Sequence, residues 1–181
     1  IHADTSTSVW SRFSSAPPTG LNTMTGGRVK RVRDYIGDEP FMLTYGDGVS
    51  DLNIAELLNF HQSHGKMVTM SAYNAGQRFG VLDIDSSGQI REFREKTRGD
   101  GSLINIGFMV CQPEFIDYIN GDDTVLEKAP LENVAKLGQL MAYKHTGFWQ
   151  CMDTVREKEQ LEKLWATGHA PWRVWGASVK N

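Results

Sequence analysis

Two rhythms of apolar residues run through this chain. Val29, Val32 and Ile36 recur at i, i+3 and i+7, which predicts an amphipathic helix closed by Gly37. Phe41-Met42-Leu43-Thr44-Tyr45 is a short apolar run, which predicts a buried strand ending in the turn Gly46-Asp47-Gly48. Ile54, Leu57, Leu58 and His61 then mark one face of a second helix, with Gly65 at its end, and Met67 to Ala72 predicts another buried strand. Strand, helix, strand at this spacing is the pattern of a parallel βαβ crossover.

The rhythm changes further on. Gly80 to Ile84 and Gln89 to Phe93 flank Asp85-Ser86-Ser87-Gly88 and predict a β-hairpin. Leu103 to Val110 predicts a long strand, and Pro113 opens a short helix. Leu131 to Leu137 reads as a helix stopped by Gly138, and Leu140 to His145 as a strand. Thr154-Val155-Arg156-Glu157 is a capping box that starts a charged helix running through Trp165. Residues 1–18 show neither rhythm. They hold Thr5, Ser6, Thr7, Ser8, Ser11, Ser14 and Ser15, close on Pro17-Pro18, and read as an irregular arm anchored by Val9, Trp10 and Phe13. Residues 19–181 read as a partial α/β domain.

Composition narrows the function classes. The chain has 181 residues, a net charge of -3, 40% hydrophobic and 23% charged residues. That balance is ordinary for a globular domain and argues against nucleic-acid binding or a polybasic membrane anchor. No apolar run approaches the roughly 18 residues of a membrane span, and no secretory leader is visible, so a cytoplasmic location is expected. Cys111 and Cys151 are too few for a disulfide framework or a four-cysteine zinc site and read as reduced, packed thiols.

Four segments could carry chemistry. Asp47, on glycine-rich backbone at the end of a strand, suits a hard cation such as Mg²⁺ bridging phosphates; the same residue could instead shape a turn. Asp51 is read as a helix cap. Asp153, just before a helix, could be a second cation ligand or share capping with Thr154. In Glu92-Phe93-Arg94-Glu95-Lys96, the lysine is a point-charge phosphate binder or one member of a solvated edge strand. Thr25-Gly26-Gly27-Arg28 reads as a turn at a helix start, where exposed N–H groups and an arginine fork suit a phosphate or a base edge; a plain glycine turn is the alternative. His61, His64 and His145 read as structural.

Taken together, TMTGGRVKRV, FMLTYGDGVSDLNI, RFGVLDI, REFREK, GDGSLINIGFMV, GFWQCMDT and LEKLW resemble the sugar-1-phosphate nucleotidyltransferases, of the type that joins CTP and glucose 1-phosphate to CDP-glucose. The resemblance runs from about Thr19 to Trp175. It implies an α/β, Rossmann-like nucleotidyltransferase fold with a mixed sheet, N-terminally truncated. It implies Mg²⁺-assisted in-line attack of the sugar phosphate oxygen on the nucleotide α-phosphate, with release of pyrophosphate. It implies Asp47 and Asp153 as metal ligands, and Asp47, Asp153 and Lys96 as the catalytic set. Glu95 and Lys96 would contact the sugar and its phosphate. Gly80, Asn105 and Gly107 would line the sugar pocket, while Met24 to Arg28, including Thr25, Gly26 and Arg28, would face the nucleotide.

Three departures accompany the resemblance. The family's opening strand with its G-G-x-G-T-R triphosphate loop has no counterpart in residues 1–18. Glu-Lys-Pro is Glu95-Lys96-Thr97 here, and Trp-Gln-Pro-Met-Asp is Trp149-Gln150-Cys151-Met152-Asp153. Without a triphosphate cradle, turnover by this chain alone is expected to fall by orders of magnitude. The Phe41–Tyr45 strand should lack sheet neighbours, so a homo-oligomer or cover by the arm is expected. The partners expected are a nucleotide and a sugar phosphate, with no nucleic acid and no membrane. Two further readings stand beside the enzyme: a catalytically silent sugar-phosphate-binding or oligomerisation module, and a stable domain without a ligand.

Overall fold

The computed structural model describes residues 18–74, 81–94 and 103–174. In chain order the elements are α1 (Thr25–Arg31), α2 (Arg33–Ile36), β1 (Phe41–Leu43), β2 (Gly48–Ser50), α3 (Ile54–His64), β3 (Val68–Tyr73), β4 (Val81–Ile84) and β5 (Ile90–Arg94). Then follow β6 (Ile104–Cys111), a 3₁₀ turn (Pro113–Tyr118), α4 (Ala129–Lys136), β7 (Leu140–His145), β8 (Trp149–Cys151) and α5 (Val155–Ala166).

The main sheet has four strands in the order β1-β6-β3-β7. It is mixed: β6 runs antiparallel to β1 and β3, and β3 runs parallel to β7. The crossover β1–α3–β3 therefore joins two strands of the same direction, as its spacing predicts, but β6 is inserted between them. A local rhythm says which segments are strands and not which strand will come between two others.

Burial explains why this sheet is the scaffold. The first five residues of β3 are buried, which requires cover on both faces. Val68, Met70 and Ala72 pack with Met109, Cys111, Phe115, Leu131, Val134 and Leu140, beneath the 3₁₀ turn and α4. On the other face Val110 packs with Leu52 and Leu57 under α3, and with half-buried Leu58, Phe108 and Tyr143. Asn53 caps α3 by accepting from the backbone N–H groups of Ala55 and Glu56. Asp51, expected to be that cap, has a different task described below.

The polar atoms buried between α3 and β3 are paired. The Gln112 side-chain amide donates to His61 Nε2 at 2.9 Å, so His61 Nδ1–H donates to Thr69 Oγ1 at 2.8 Å. Lys66 N–H donates to His64 Nδ1, and His64 Nε2 meets the same hydroxyl at 2.7 Å. Burial keeps both rings neutral, lowering the His61 pKa and bringing His64 down to about 4.

Two corrections concern the edges. The Phe41 run is an edge strand and not a fully buried one: Met42 is 48% exposed, and β1 pairs with β6 on one side, with no second partner among the described residues. Thr25-Gly26-Gly27 is the first turn of α1 itself and not a turn leading into it. The β4–β5 hairpin, the Pro113 turn, α4 and the α5 capping box stand where the sequence puts them. No helix among the described residues is long and apolar enough to cross a membrane. The arm, apart from Pro18, lies outside the described residues.

Candidate functional site

A second small sheet builds the site. β2 pairs antiparallel with β8, Gly48 opposite Cys151 and Ser50 opposite Trp149. Beyond the ladder, Met152 N–H donates to the Asp47 carbonyl at 2.8 Å. This pairing brings the Gly46-Asp47-Gly48 segment, from the first third of the chain, against Met152-Asp153, near its end. Asp47 and Asp153 both sit at this rim and are exposed to water.

Around Asp153 the donors are mixed. Ligand atoms of Cys151, Asp153 and Glu157 lie within 4.8 Å of one another. Glu157 is committed to the capping box: its Oε2 accepts from Thr154 N–H and Oγ1–H, each at 3.0 Å. Burial and its acidic neighbours push the Cys151 thiol up to about 11, so it stays protonated. Asp153 stands outside the cap and offers carboxylate oxygens, and oxygen donors suit a hard divalent cation.

Asp51 and His145 clamp the rim to the main sheet. Asp51 Oδ1 accepts from Phe148 N–H at 2.7 Å and lies 3.0 Å from His145 Nε2. The same nitrogen faces Ser50 Oγ at 3.1 Å and the Phe148 carbonyl at 3.0 Å. A nucleophile relay needs its two partners on different ring nitrogens. Here one nitrogen serves all three, so the group is a clasp. Gly147 belongs to it: a Cβ there would lie 2.3 Å from Asp51 Oδ1.

On the sheet side, Asn105 and Gly107 of β6 stand beside Tyr45. Asn105 Oδ1 accepts from Gly107 N–H at 2.8 Å, and its Nδ2 donates to the Tyr45 hydroxyl at 3.1 Å. The hydroxyl donates to Glu127 Oε1 at 2.5 Å. Burial and this carboxylate raise the Tyr45 pKa far above its ordinary value, so the phenol stays protonated. Gly107 has φ +85°, and a Cβ there would lie 2.6 Å from the Tyr45 ring.

The glycines of α1 have a different basis from the one expected. Gly26 N–H and Gly27 N–H donate to the Thr124 carbonyl, and Met24 N–H donates to the Asp122 carbonyl. These donors are therefore occupied by protein. A Cβ on Gly27 would sit 2.6 Å from Asp122 Cα, and one on Gly26 2.8 Å from the Thr124 oxygen. Close packing alone accounts for the pair. The Arg28 fork donates to Thr19 Oγ1 at 2.7 Å and the Leu21 carbonyl at 3.4 Å. Thr25 joins the Tyr45 group, donating to Glu127 Oε2 at 2.8 Å.

The folded chain thus gathers Asp47 and Asp153 on the rim, and links Asn105, Gly107 and Thr25 through Tyr45 and Glu127. Gly80, Glu95 and Lys96 lie outside the described residues. Sequence reasoning missed Tyr45 and Glu127. Tyr45 was legible as the residue opening the Asp47 turn, but nothing around Glu127 marks it.

A nucleotidyl transferase family model matches residues 14–152 of this chain. The chain belongs to the nucleotidyl transferase family. It is 52% identical over 158 residues to glucose-1-phosphate cytidylyltransferase of Salmonella typhi and 42% identical to the probable glucose-1-phosphate cytidylyltransferase of Bacillus subtilis. Each alignment covers 87% of this chain and 61% of the relative, so this nucleotidyl transferase chain spans about three fifths of their length. A mannose-1-phosphate guanylyltransferase catalytic subunit beta of Dictyostelium discoideum is 33% identical, over 77% of this chain and 40% of its own. The fold is that of a crystal structure titled a putative glucose-1-phosphate thymidylyltransferase from Bacillus anthracis. The TM-score is 0.68 at 17% identity, covering 87% of this chain and 65% of that one.

Proposed function

We propose that this nucleotidyl transferase chain serves the joining of CTP and glucose 1-phosphate to CDP-glucose and pyrophosphate. In that reaction a sugar phosphate oxygen attacks the nucleotide α-phosphorus, and the bond to pyrophosphate breaks. The observation that carries the reading is the β2–β8 ladder, which sets Asp47 and Asp153 on one rim although more than half the chain separates them. The 52% identity to a glucose-1-phosphate cytidylyltransferase favours this substrate pair over a guanylyl or thymidylyl one.

The roles follow from the chemistry of each group. Asp47 and Asp153 would hold a divalent cation, here Mg²⁺, which offsets charge on the phosphoryl oxygens when bound. Lys96 is assigned to the sugar phosphate, Glu95 to ring hydroxyls, and Gly80, Asn105 and Gly107 to the sugar pocket. Thr25, Gly26 and Arg28 are assigned to the nucleotide side. Gly26 would act there through its packing, since its N–H is taken, and Arg28 would exchange Thr19 for a phosphate oxygen. The reading extends to self-association at the open β1 edge, where light scattering of the chain and of Met42→Lys should differ.

The test is pyrophosphate release with CTP, glucose 1-phosphate and Mg²⁺, beside calorimetric titration of each substrate. Saturable binding of glucose 1-phosphate or CTP, lost or weakened without Mg²⁺, supports the reading. Flat titrations and no product overturn it.

A further inference from the structure

The polar chain from α1 to β6 has one consistent set of proton directions. Leu126 N–H donates to Thr25 Oγ1 at 2.9 Å, and Thr25 Oγ1–H donates to Glu127 Oε2. The Tyr45 hydroxyl donates to Glu127 Oε1. The Tyr45 oxygen is then left to accept from Asn105 Nδ2. Gly107 N–H is an obligate donor, so the atom facing it must be Asn105 Oδ1. The Asn105 amide cannot turn over without breaking two of these bonds. Among the described residues its second Nδ2–H meets no partner, so the amide presents a donor there.

We propose that Glu127 is a positioning residue, which through Tyr45 locks the Asn105 amide so that its free N–H meets an acceptor oxygen of the sugar phosphate. The inference rests on the sugar-phosphate reading given above and adds to it the residue that sets the amide. The same carboxylate ties this lock to α1 through Thr25. The sugar side and the nucleotide side of the site therefore share one anchor. Glu127 is half-buried, lies on the short segment before α4, and reaches Asn105 only through Tyr45.

Three variants separate this role from general stability. Tyr45→Phe removes only the hydroxyl. Glu127→Ala removes the acceptor. Glu127→Gln retains an acceptor oxygen that can face Tyr45. Amide hydrogen exchange at Gly107, read by NMR without ligand, reports the Asn105 Oδ1 bond, with Val110 of the same strand as control. Exchange at Gly107 should quicken about five- to tenfold in Tyr45→Phe and Glu127→Ala, as expected for loosening one hydrogen bond. Val110 should stay unchanged, and Glu127→Gln should stay near the parent. Calorimetry with glucose 1-phosphate should show weaker binding by about the same factor in the first two variants and recovery in the third.

Equal Gly107 exchange in all four proteins overturns the proposal. So does quickening at Gly107 and Val110 together, which would mark a loosened strand. Failure of the parent to bind glucose 1-phosphate counts against the substrate reading instead, and the ligand-free exchange then decides the role of Glu127 alone.

Discussion

The main sheet and the β2–β8 rim contrast in every respect that matters. β3 is given over to packing: Val68, Met70 and Ala72 are wholly buried, and the polar Thr69 and Ser71 are buried and bonded. The rim has three-residue strands, half-buried side chains and two exposed carboxylates. Stability resides in the first and charge in the second. The carboxyl groups at the rim stay hydrated, while backbone pairing and the Asp51–His145 clasp fix where they stand.

Substitutions should divide along this line. Phe115→Ala, at a fully buried position, should cost about 3–5 kcal/mol in denaturant unfolding. Asp47→Asn should lower any CDP-glucose synthesis about 100-fold, as for loss of one charge-stabilising group. Its melting temperature should stay at the parental value. A large stability loss in Asp47→Asn would break the contrast. Gly27→Ala should cost about 1–3 kcal/mol, because the new methyl meets the Asp122 backbone. Thr154→Ala should cost about 1 kcal/mol by removing the α5 cap.

The smallest effect is a pH dependence within the sheet region. The folded-state pKa of His64 is near 4 and that of His61 is also lowered. The unfolded chain therefore binds more protons between about pH 6.5 and 4. Stability is full above this window and falls as pH drops through it. Protonation of His64 Nδ1 would also oppose the Lys66 N–H it now accepts. Thermal melts at pH 7 and 5 should differ by a few degrees, and His64→Gln should shrink the difference.

How far the sequence reveals this depends on the range of the interaction. α3, α4, α5 and the β4–β5 hairpin are local, so periodicity, Gly65, Gly138 and the Thr154 box announce them. The β2–β8 ladder is not local. Each strand is three residues long, and Gly48-Val49-Ser50 looks like the end of a turn until Trp149 lies opposite. Asp51 misleads for the same reason. It precedes a helix and has a capping side chain, but Phe148 N–H, nearly a hundred positions later, takes the carboxylate and Asn53 takes the cap. The α1 glycines suggest free donors because the carbonyl that fills them belongs to Thr124. Asp47 and Asp153 were legible as carboxylates at element ends, and their meeting followed from the family resemblance and not from spacing.

The place of β6 also governs how this chain can acquire its shape during synthesis. β1 and β3 do not touch one another; each touches β6. When a ribosome has delivered α3 and β3, no two of the described main-sheet strands have yet been able to pair. Phe41 and Val68 both wait for Cys111. Distant pairings of this kind close slowly. The β4–β5 hairpin is the local exception and can form first. Until residues 104–111 emerge, β1 and β3 lack the strand that pairs with both, and a nascent chain in that state is exposed to misassociation.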